Sequence, residues 1–257
     1  MFLVFSKEKI YTYLISVITV VLLLCTVSNI DNLKPRTVET SSNNQKLLPI
    51  YQVNTQQNNV ALTMNCAWNA DDVEQILKVL AENDVKITFF MVGSWIDKYP
   101  ESVKKISEAG HEIGSHSDTH PHVNNLSYEK NIEEIEKSND KIEKITGSRT
   151  KLYRAPYGEY NNTVIKAATD KGYYTIQWSL DTLDYTGLTG DEMWSRLDKK
   201  LTSGDIILTH NGTKYMADSL DMLLKNIKQK GFDVVPVSDL IYKDNYKIDS
   251  TGMQVNN

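Results

Sequence analysis

Cysteine is scarce in this sequence. Two cysteines in 257 residues exclude a small domain held together by a framework of disulfides. A surplus of basic residues is also missing, because 28 Lys and Arg face 33 Asp and Glu and leave a net charge of −5. Proteins that hold nucleic acid through phosphate contacts are normally basic, so we expect no nucleic-acid partner. A glycine-rich nucleotide-binding loop and internal repeats are absent as well.

Long apolar runs are absent except at the N-terminus. Residues 10–28 carry no charge and follow Lys7 and Lys9. This length is close to the roughly 20 residues that cross a bilayer, and a basic flank before the run fits insertion with the N-terminus in the cytoplasm. The pattern predicts a signal anchor or transmembrane segment over residues 1–29, with the rest of the chain on the extracytoplasmic side of the cell membrane. A cleaved signal peptide, giving a secreted protein, is the alternative.

The rest of the chain divides by composition. Residues 30–59 are rich in Asn, Gln, Ser and Thr, which is typical of a flexible linker. Residues 242–257 are similarly polar, and we expect a disordered tail there. The remaining residues, 60–241, have the size of one domain.

Within residues 60–241, short apolar runs alternate with segments of helical periodicity. Ser127, for example, is placed to cap a long helix that ends at Gly147. Such alternation is typical of βα units around a parallel sheet. About seven units closing on themselves predict an α/β fold of the (β/α) barrel type, which carries its chemistry at the C-terminal ends of the strands.

Histidines lie at two of these predicted strand ends. If His116 and His120 share one helical turn, both rings face the same side and can bind one divalent metal. A pair of surface loop histidines would give the same short pattern. His210, at the end of a later apolar strand, is either a buried, hydrogen-bonded residue or a proton donor.

Arginine and aspartate residues follow two further predicted strands. Arg154 precedes a turn containing Pro156, so it can present a fixed guanidinium to a carboxylate; a plain strand-ending turn is the alternative. Asp181 and Asp184 offer two carboxylates beside Tyr185, although acidic pairs in loops are usually just solvated. Each motif alone is ambiguous, whereas their order along the chain is specific.

That order, H-S-x-x-H, then R-x-P-Y-G, D-x-x-D-Y and L-x-H, resembles the NodB-homology polysaccharide deacetylases of carbohydrate esterase family 4. The resemblance covers nearly all of residues 60–241. It implies a distorted (β/α) barrel and metal-dependent removal of acetyl groups from N-acetylglucosamine residues of peptidoglycan or chitin-like polymers. It further implies that His116 and His120 bind the metal, usually zinc, that Arg154 orients the catalytic carboxylate, and that the backbone N–H of Tyr157 helps to hold the oxyanion.

For the leaving-group side, the resemblance implies that Asp184 tunes His210, the general acid that protonates the departing amine. Leu208 and Tyr185 would line the acetyl pocket. The family usually has tryptophan at the position of Tyr185.

The first motif departs from the family pattern T-F-D-D-G. Asn65 stands in the position of the general base, and an amide cannot take a proton from water near neutral pH. Cys66 stands in the position of a metal ligand, where it is either a thiolate ligand of zinc or a small buried apolar residue. The stretch from Asn65 to Trp68 resembles a membrane-anchored subgroup of the family with a divergent first motif.

The sequence therefore predicts a hydrolase of amide bonds, a metal-dependent polysaccharide deacetylase with an altered first motif, whose partners are a cell-wall glycan and the membrane. The alternative is a catalytically silent, glycan-binding or wall-associated pseudoenzyme of the same fold. A replacement base for an active site is not established by spacing; the candidates are Asp71, Asp72, Asp118 and a dual use of His210.

Overall fold

The apolar runs predicted as strands become a parallel sheet in the computed structural model, which describes residues 16–17 and 46–257. Its strands are β1 Gln52–Val53, β2 Asn59–Cys66, β3 Thr88–Met91, β4 Glu112–Ser115, β5 Leu152–Tyr153, β6 Tyr174–Thr175, β7 Leu180–Asp181, β8 Ile206–His210, β9 Asp233–Val234, β10 Tyr246–Ile248 and β11 Met253–Asn256. Residues 46–257 form one compact unit.

Helices connect most of the strands. They are α1 Val73–Glu82, α2 Gly93–Lys98, α3 Pro100–Glu108, α4 Tyr128–Thr146, α5 Asn162–Asp170, α6 Gly190–Leu197, α7 Met216–Gln229 and α8 Val237–Leu240. The predicted limits of α4 are confirmed, because the Ser127 side chain accepts a hydrogen bond from the N–H of Lys130 and Gly147 takes a left-handed conformation with φ of 76°. Glycine adopts this conformation without the steric cost that a Cβ brings.

The main sheet has the strand order β6-β5-β4-β3-β2-β8-β7, and β9 adds to the start of β2. All neighbouring strands in it are parallel, which confirms the α/β class. The predicted barrel is not closed, since the edge strands β6 and β7 do not pair with each other. The sheet is a curled half-barrel of seven strands, and Ile50 bridges to Ile176 beside β6.

Strand β2 is the centre of the fold and is buried on both faces. Its even-numbered residues, including Met64 and Cys66, pack into the main apolar core with α1 and α7. Its odd-numbered residues, including Thr63 and Asn65, therefore point into the concave side of the sheet, because successive side chains of a strand alternate between faces. Buried polar residues accordingly collect on the concave side.

Ordered strands occur where the polar composition indicated a linker and a disordered tail. In the described part of the linker, β1 pairs in parallel with β11, which pairs antiparallel with β10 in the tail. Gln254 shows how a polar segment can pack against the domain. Its side chain is buried and exchanges two hydrogen bonds with the backbone of Tyr242. A buried amide is tolerated when its hydrogen bonds are made.

No helix in residues 16–17 and 46–257 is both long and apolar enough to cross a membrane. The predicted anchor over residues 1–29 lies outside the described residues except for Ser16 and Val17.

Candidate active site

The C-terminal ends of the strands surround a cleft of about 490 Å³. Sheet register builds it, since Asn65 at the end of β2 lies opposite His210 at the end of β8, and His116 directly follows β4. The side chains that line the cleft are Asn65, Ala67, Trp68, Val92, Ser94, His116, His120, Tyr157, Gly158, Trp178, Asp181, Tyr185, Leu208 and His210. Most of the residues singled out in the sequence thus meet in one place.

Arg154 lies behind the cleft and is fully buried. Its Nη1 donates to Thr63 Oγ1 at 2.8 Å and to Asn65 Oδ1 at 3.1 Å, and its Nη2 donates to the carbonyl of Gln177 at 3.1 Å. The guanidinium also lies 4.1 Å from the ring centre of Phe90, within the range of a cation–π contact. Burial lowers the pKa of Arg154 to about 9, so the side chain is cationic at neutral pH.

Asn65 joins Arg154 to His116. While Asn65 Oδ1 accepts from the guanidinium, Asn65 Nδ2 lies 3.3 Å from His116 Nε2. The other ring nitrogen, His116 Nδ1, lies 2.8 Å from the carbonyl oxygen of Arg154. Burial lowers the pKa of His116 well below its usual value, so the ring is neutral at pH 7.

His120 lies beside His116, with ring centres 4.9 Å apart, and burial also lowers its pKa. The loop between them is strained, since Ser117 and His120 have φ of 65° and 57°, a region that costs a non-glycine residue about 1–2 kcal/mol. Glu134 on α4 holds this loop by accepting hydrogen bonds from the N–H groups of Asp118 and Thr119 and from the Thr119 hydroxyl, at 2.8–3.0 Å. Sequence reasoning missed Glu134, because nothing in a helical surface pattern shows which acidic residue turns toward a distant loop.

Replacing Glu134 by alanine is expected to lower the free energy of unfolding by about 1–3 kcal/mol, because two backbone donors of a strained loop lose their acceptor. The neighbouring Glu133, which pairs with Lys130 and Lys137 on the helix surface, is the matched control and should lose clearly less stability as alanine, because exposed ion pairs contribute little. Urea denaturation of the two variants checks this. Equal losses would mean that Glu134 does not hold the loop.

The His210–Asp184 pair forms the opposite wall. Asp184 is buried, and its carboxylate accepts from the His210 backbone N–H at 2.7 Å and lies 2.9 Å from His210 Nδ1. This fixes the ring so that Nε2 is the nitrogen not held by the carboxylate. Such a histidine can exchange a proton with a bound group.

Aromatic rings form the rim of the cleft. Trp68 and Tyr185 each place their ring centre 5.2 Å from that of His210. Tyr157, with φ of 57°, has its ring against those of His120 and His122 at 4.6 and 4.4 Å. Trp68, Tyr157 and Tyr185 are about half exposed, so apolar ring faces are available to a ligand that enters the cleft.

Of the carboxylates in the described residues, Asp181 alone lines the cleft. Its Oδ1 accepts from the N–H of Leu183 at 2.8 Å, and burial raises its pKa. The three acidic candidates for a replacement base lie elsewhere: Asp72 accepts from the N–H of Gly212, Asp118 pairs with Lys141, and Asp71 is not in the lining.

The fold is thus a curled half-barrel whose cleft, at the strand ends, is lined by the paired imidazoles of His116 and His120 and by His210, which Asp184 holds. A family model described as polysaccharide deacetylase matches residues 52–176. The chain belongs to this family, carbohydrate esterase family 4 (CE4).

Three relatives are informative. The uncharacterized protein YlxY of Bacillus subtilis is 35% identical over 193 residues, 75% of this chain and 60% of that protein. A peptidoglycan-N-acetylglucosamine deacetylase of Bacillus cereus is 31% identical over 176 residues, 67% of this chain and 64% of that protein. The chain therefore spans less than two thirds of the length of either relative.

The third relative is BA3943 of Bacillus anthracis, a CE4 family pseudoenzyme. Its wild-type crystal structure is 31% identical, with a TM-score of 0.72, covering 81% of this chain and 73% of that one. A BA3943 mutant with restored enzymatic activity is 33% identical, with the same TM-score, covering 76% and 71%. The family thus contains both peptidoglycan deacetylases and pseudoenzymes.

Family members are generally metal-dependent, but the donor set of this chain does not fit a resident metal ion. The described residues contain no group of three or more His, Cys, Asp or Glu side chains that could hold one. Cys66, predicted either as a ligand or as a small apolar residue, is fully buried in the main core on the opposite face of β2 from Asn65. Burial raises the pKa of its thiol well above the usual value, which opposes formation of the metal-binding thiolate.

Proposed function

We propose that this protein is a pseudoenzyme of the polysaccharide deacetylase fold, which binds N-acetylated cell-wall glycan in its cleft without hydrolysing it. The observation that carries the proposal is the Asn65 side chain, whose amide lies between Arg154 and His116. An amide in that place supplies no proton acceptor for water, and loss of a well-placed general base costs about 10²–10⁴-fold in rate. The similarity to the pseudoenzyme BA3943 supports the same assignment.

The aromatic rim and the polar side chains of the cleft support a glycan as the ligand. Ring faces at the rim suit the apolar faces of sugar rings, and His210 and Asp181 offer hydrogen bonds to hydroxyl or acetamido groups. The rim of the cleft is accessible to a polymer, because Trp68, Tyr157 and Tyr185 all remain exposed there. The names of peptidoglycan-directed relatives support peptidoglycan as the polymer.

The test combines binding and turnover on the same samples of full-length protein. Calorimetry with N-acetylglucosamine oligomers should show binding, and Trp68→Ala should weaken it about tenfold, a loss of about 1.4 kcal/mol. Tyr128→Ala removes an aromatic ring outside the cleft and should leave binding unchanged. Acetate release by the wild type with added zinc, or no binding at all, would overturn the proposal.

A weak amidase is the second candidate, and the intact His210–Asp184 pair favours it. In this mechanism Asp181 takes the proton of the attacking water and His210 protonates the departing amine. The raised pKa of Asp181 makes it a better proton acceptor than an ordinary aspartate. Slow acetate release that disappears in both Asp181→Asn and His210→Gln would identify this activity.

The predicted N-terminal anchor completes the proposal. An extracytoplasmic domain tethered to the membrane would meet peptidoglycan, and the uncharged residues 10–28 support this location. Fractionation of cells that produce the full-length chain, followed by protease treatment of intact protoplasts, tests the location.

A further inference from the structure

Arg154, Asn65 and His116 form a closed ring of hydrogen bonds in which every donor and acceptor is fixed. A guanidinium only donates, so the Asn65 oxygen must face Arg154 and the Asn65 NH₂ must face His116. A carbonyl oxygen only accepts, so His116 Nδ1 carries the hydrogen that it donates to the Arg154 carbonyl. His116 Nε2 is then an unprotonated acceptor of the Asn65 N–H. All three residues are at most 5% exposed, so water does not compete for these bonds.

We propose that the side-chain amide of Asn65 takes the place of a metal ion toward His116, and that this one side chain keeps the cleft free of metal. The lone pair on His116 Nε2 is the one a metal would use, and the amide N–H already occupies it. The geometry supports the substitution. Asn65 Nδ2 and His116 Nε2 are 3.3 Å apart, and two ligands about 2.0–2.1 Å from a tetrahedral zinc are separated by about 3.3–3.4 Å.

A carboxylate at position 65 would place a hydrogen-bond acceptor, instead of the amide donor, against His116 Nε2. One of its oxygens would accept from Arg154 as Asn65 Oδ1 does, and the other would face the acceptor His116 Nε2 at the same short distance. Two buried acceptors that face each other are unstable unless a cation lies between them. The ring centre of His120 lies 4.9 Å from that of His116, so the aspartate and two imidazoles would supply three ligands of the kind that bind zinc. The chain therefore contains a latent metal site that is one substitution away from being complete.

This inference concerns metal binding alone and holds whether or not the cleft binds glycan. It differs from the family pattern T-F-D-D-G, in which the second acidic position supplies the ligand, because Cys66 at that position faces the core. No metal ligand is then needed at position 66, because the Asn65 amide already hydrogen-bonds His116 Nε2. Cys66 can therefore serve as an apolar core residue.

The experiment measures zinc binding by equilibrium dialysis in wild type and variants. The wild type should bind zinc less than stoichiometrically. Asn65→Asp should bind one zinc at least about tenfold more tightly, because even a hydrogen-bond partner of a metal ligand changes metal affinity by about 10–100-fold. Asn65→Ala frees His116 Nε2 without adding a ligand and should fall between the two. Asn161→Asp makes the same change of charge at the N-terminal cap of α5 and should match the wild type.

Two further measurements keep the proposal testable if Asn65→Asp is poorly folded. Nitrogen NMR of the wild type should show His116 protonated on Nδ1 and unchanged by excess zinc. The double variant Asn65→Asp, His116→Ala should lose the gained zinc affinity. Stoichiometric zinc in the wild type, a His116 tautomer protonated on Nε2, or an Asn65→Asp protein that folds and binds no more zinc than the wild type would each overturn the proposal.

Discussion

Replacing Asn65 by aspartate is expected to raise acetate release from N-acetylglucosamine oligomers by about 10²–10⁴-fold over the wild type, measured with added zinc. The substitution supplies the carboxylate that the site lacks, and restoring a missing acidic group of the catalytic machinery contributes a factor of this size. Arg154 already lies 3.1 Å from the side-chain oxygen of residue 65, so the carboxylate enters a prepared position.

The control for this prediction is the double variant Asn65→Asp, His210→Gln. It keeps the new carboxylate but removes the imidazole that Asp184 orients, so the gained activity should be lost. An unchanged rate in a folded Asn65→Asp protein would show that the missing carboxylate is not what silences the site. A gain that survives in the double variant would exclude His210 as the proton donor.

Replacing Arg154 by alanine is expected to lower the free energy of unfolding by about 3–5 kcal/mol, the largest loss of stability for any single residue discussed. The guanidinium is fully buried and satisfies Thr63, Asn65 and the carbonyl of Gln177. Its removal leaves these groups unpaired in a cavity that the remaining side chains do not fill. Thermal and urea denaturation measure the loss, and glycan binding should fall with it, since Asn65 and His116 lose their anchor.

Two variants calibrate the Arg154 result. Arg149→Ala removes an arginine that pairs with three partly exposed carboxylates on the surface and should cost about 1 kcal/mol or less. Arg154→Lys keeps the charge but cannot reproduce a planar fork with several fixed donors, so it should be intermediate. A loss below about 1 kcal/mol for Arg154→Ala would show that the network is not the buried support described above.

The main outline of the fold was predictable because it follows from local patterns. Alternating apolar runs and helical periodicity predicted a parallel sheet, and Ser127 and Gly147 marked the ends of α4. The polar segments before and after the domain were misjudged, because pairing between β1 and β11 joins residues about 200 positions apart and leaves little trace in local composition. Closure of the barrel was misjudged for the same reason, since it depends on whether β6 and β7 meet.

The residues that form the site were predictable from the sequence, but the directions in which their side chains point were not. His116, Arg154, Asp184 and His210 stand at strand ends, so a parallel sheet brings them to one edge. For Cys66, sequence spacing left two roles open, and only the structure shows that it points to the core side of β2. Glu134 is different again, because its contact with the loop of His120 exists only once α4 is packed on the sheet.

By itself, the sequence determined the residue types that the chemistry must use: an amide rather than a carboxylate at position 65, two histidines four residues apart, and a histidine that ends an apolar strand. Residue types are fixed by the sequence itself, and strand periodicity is enough to place these residues at one end of a sheet. Tertiary structure decided which atoms face each other. Orientation across strands depends on the pleat and on buried packing, and it is this orientation that places the Asn65 amide against His116 and turns Cys66 away from both.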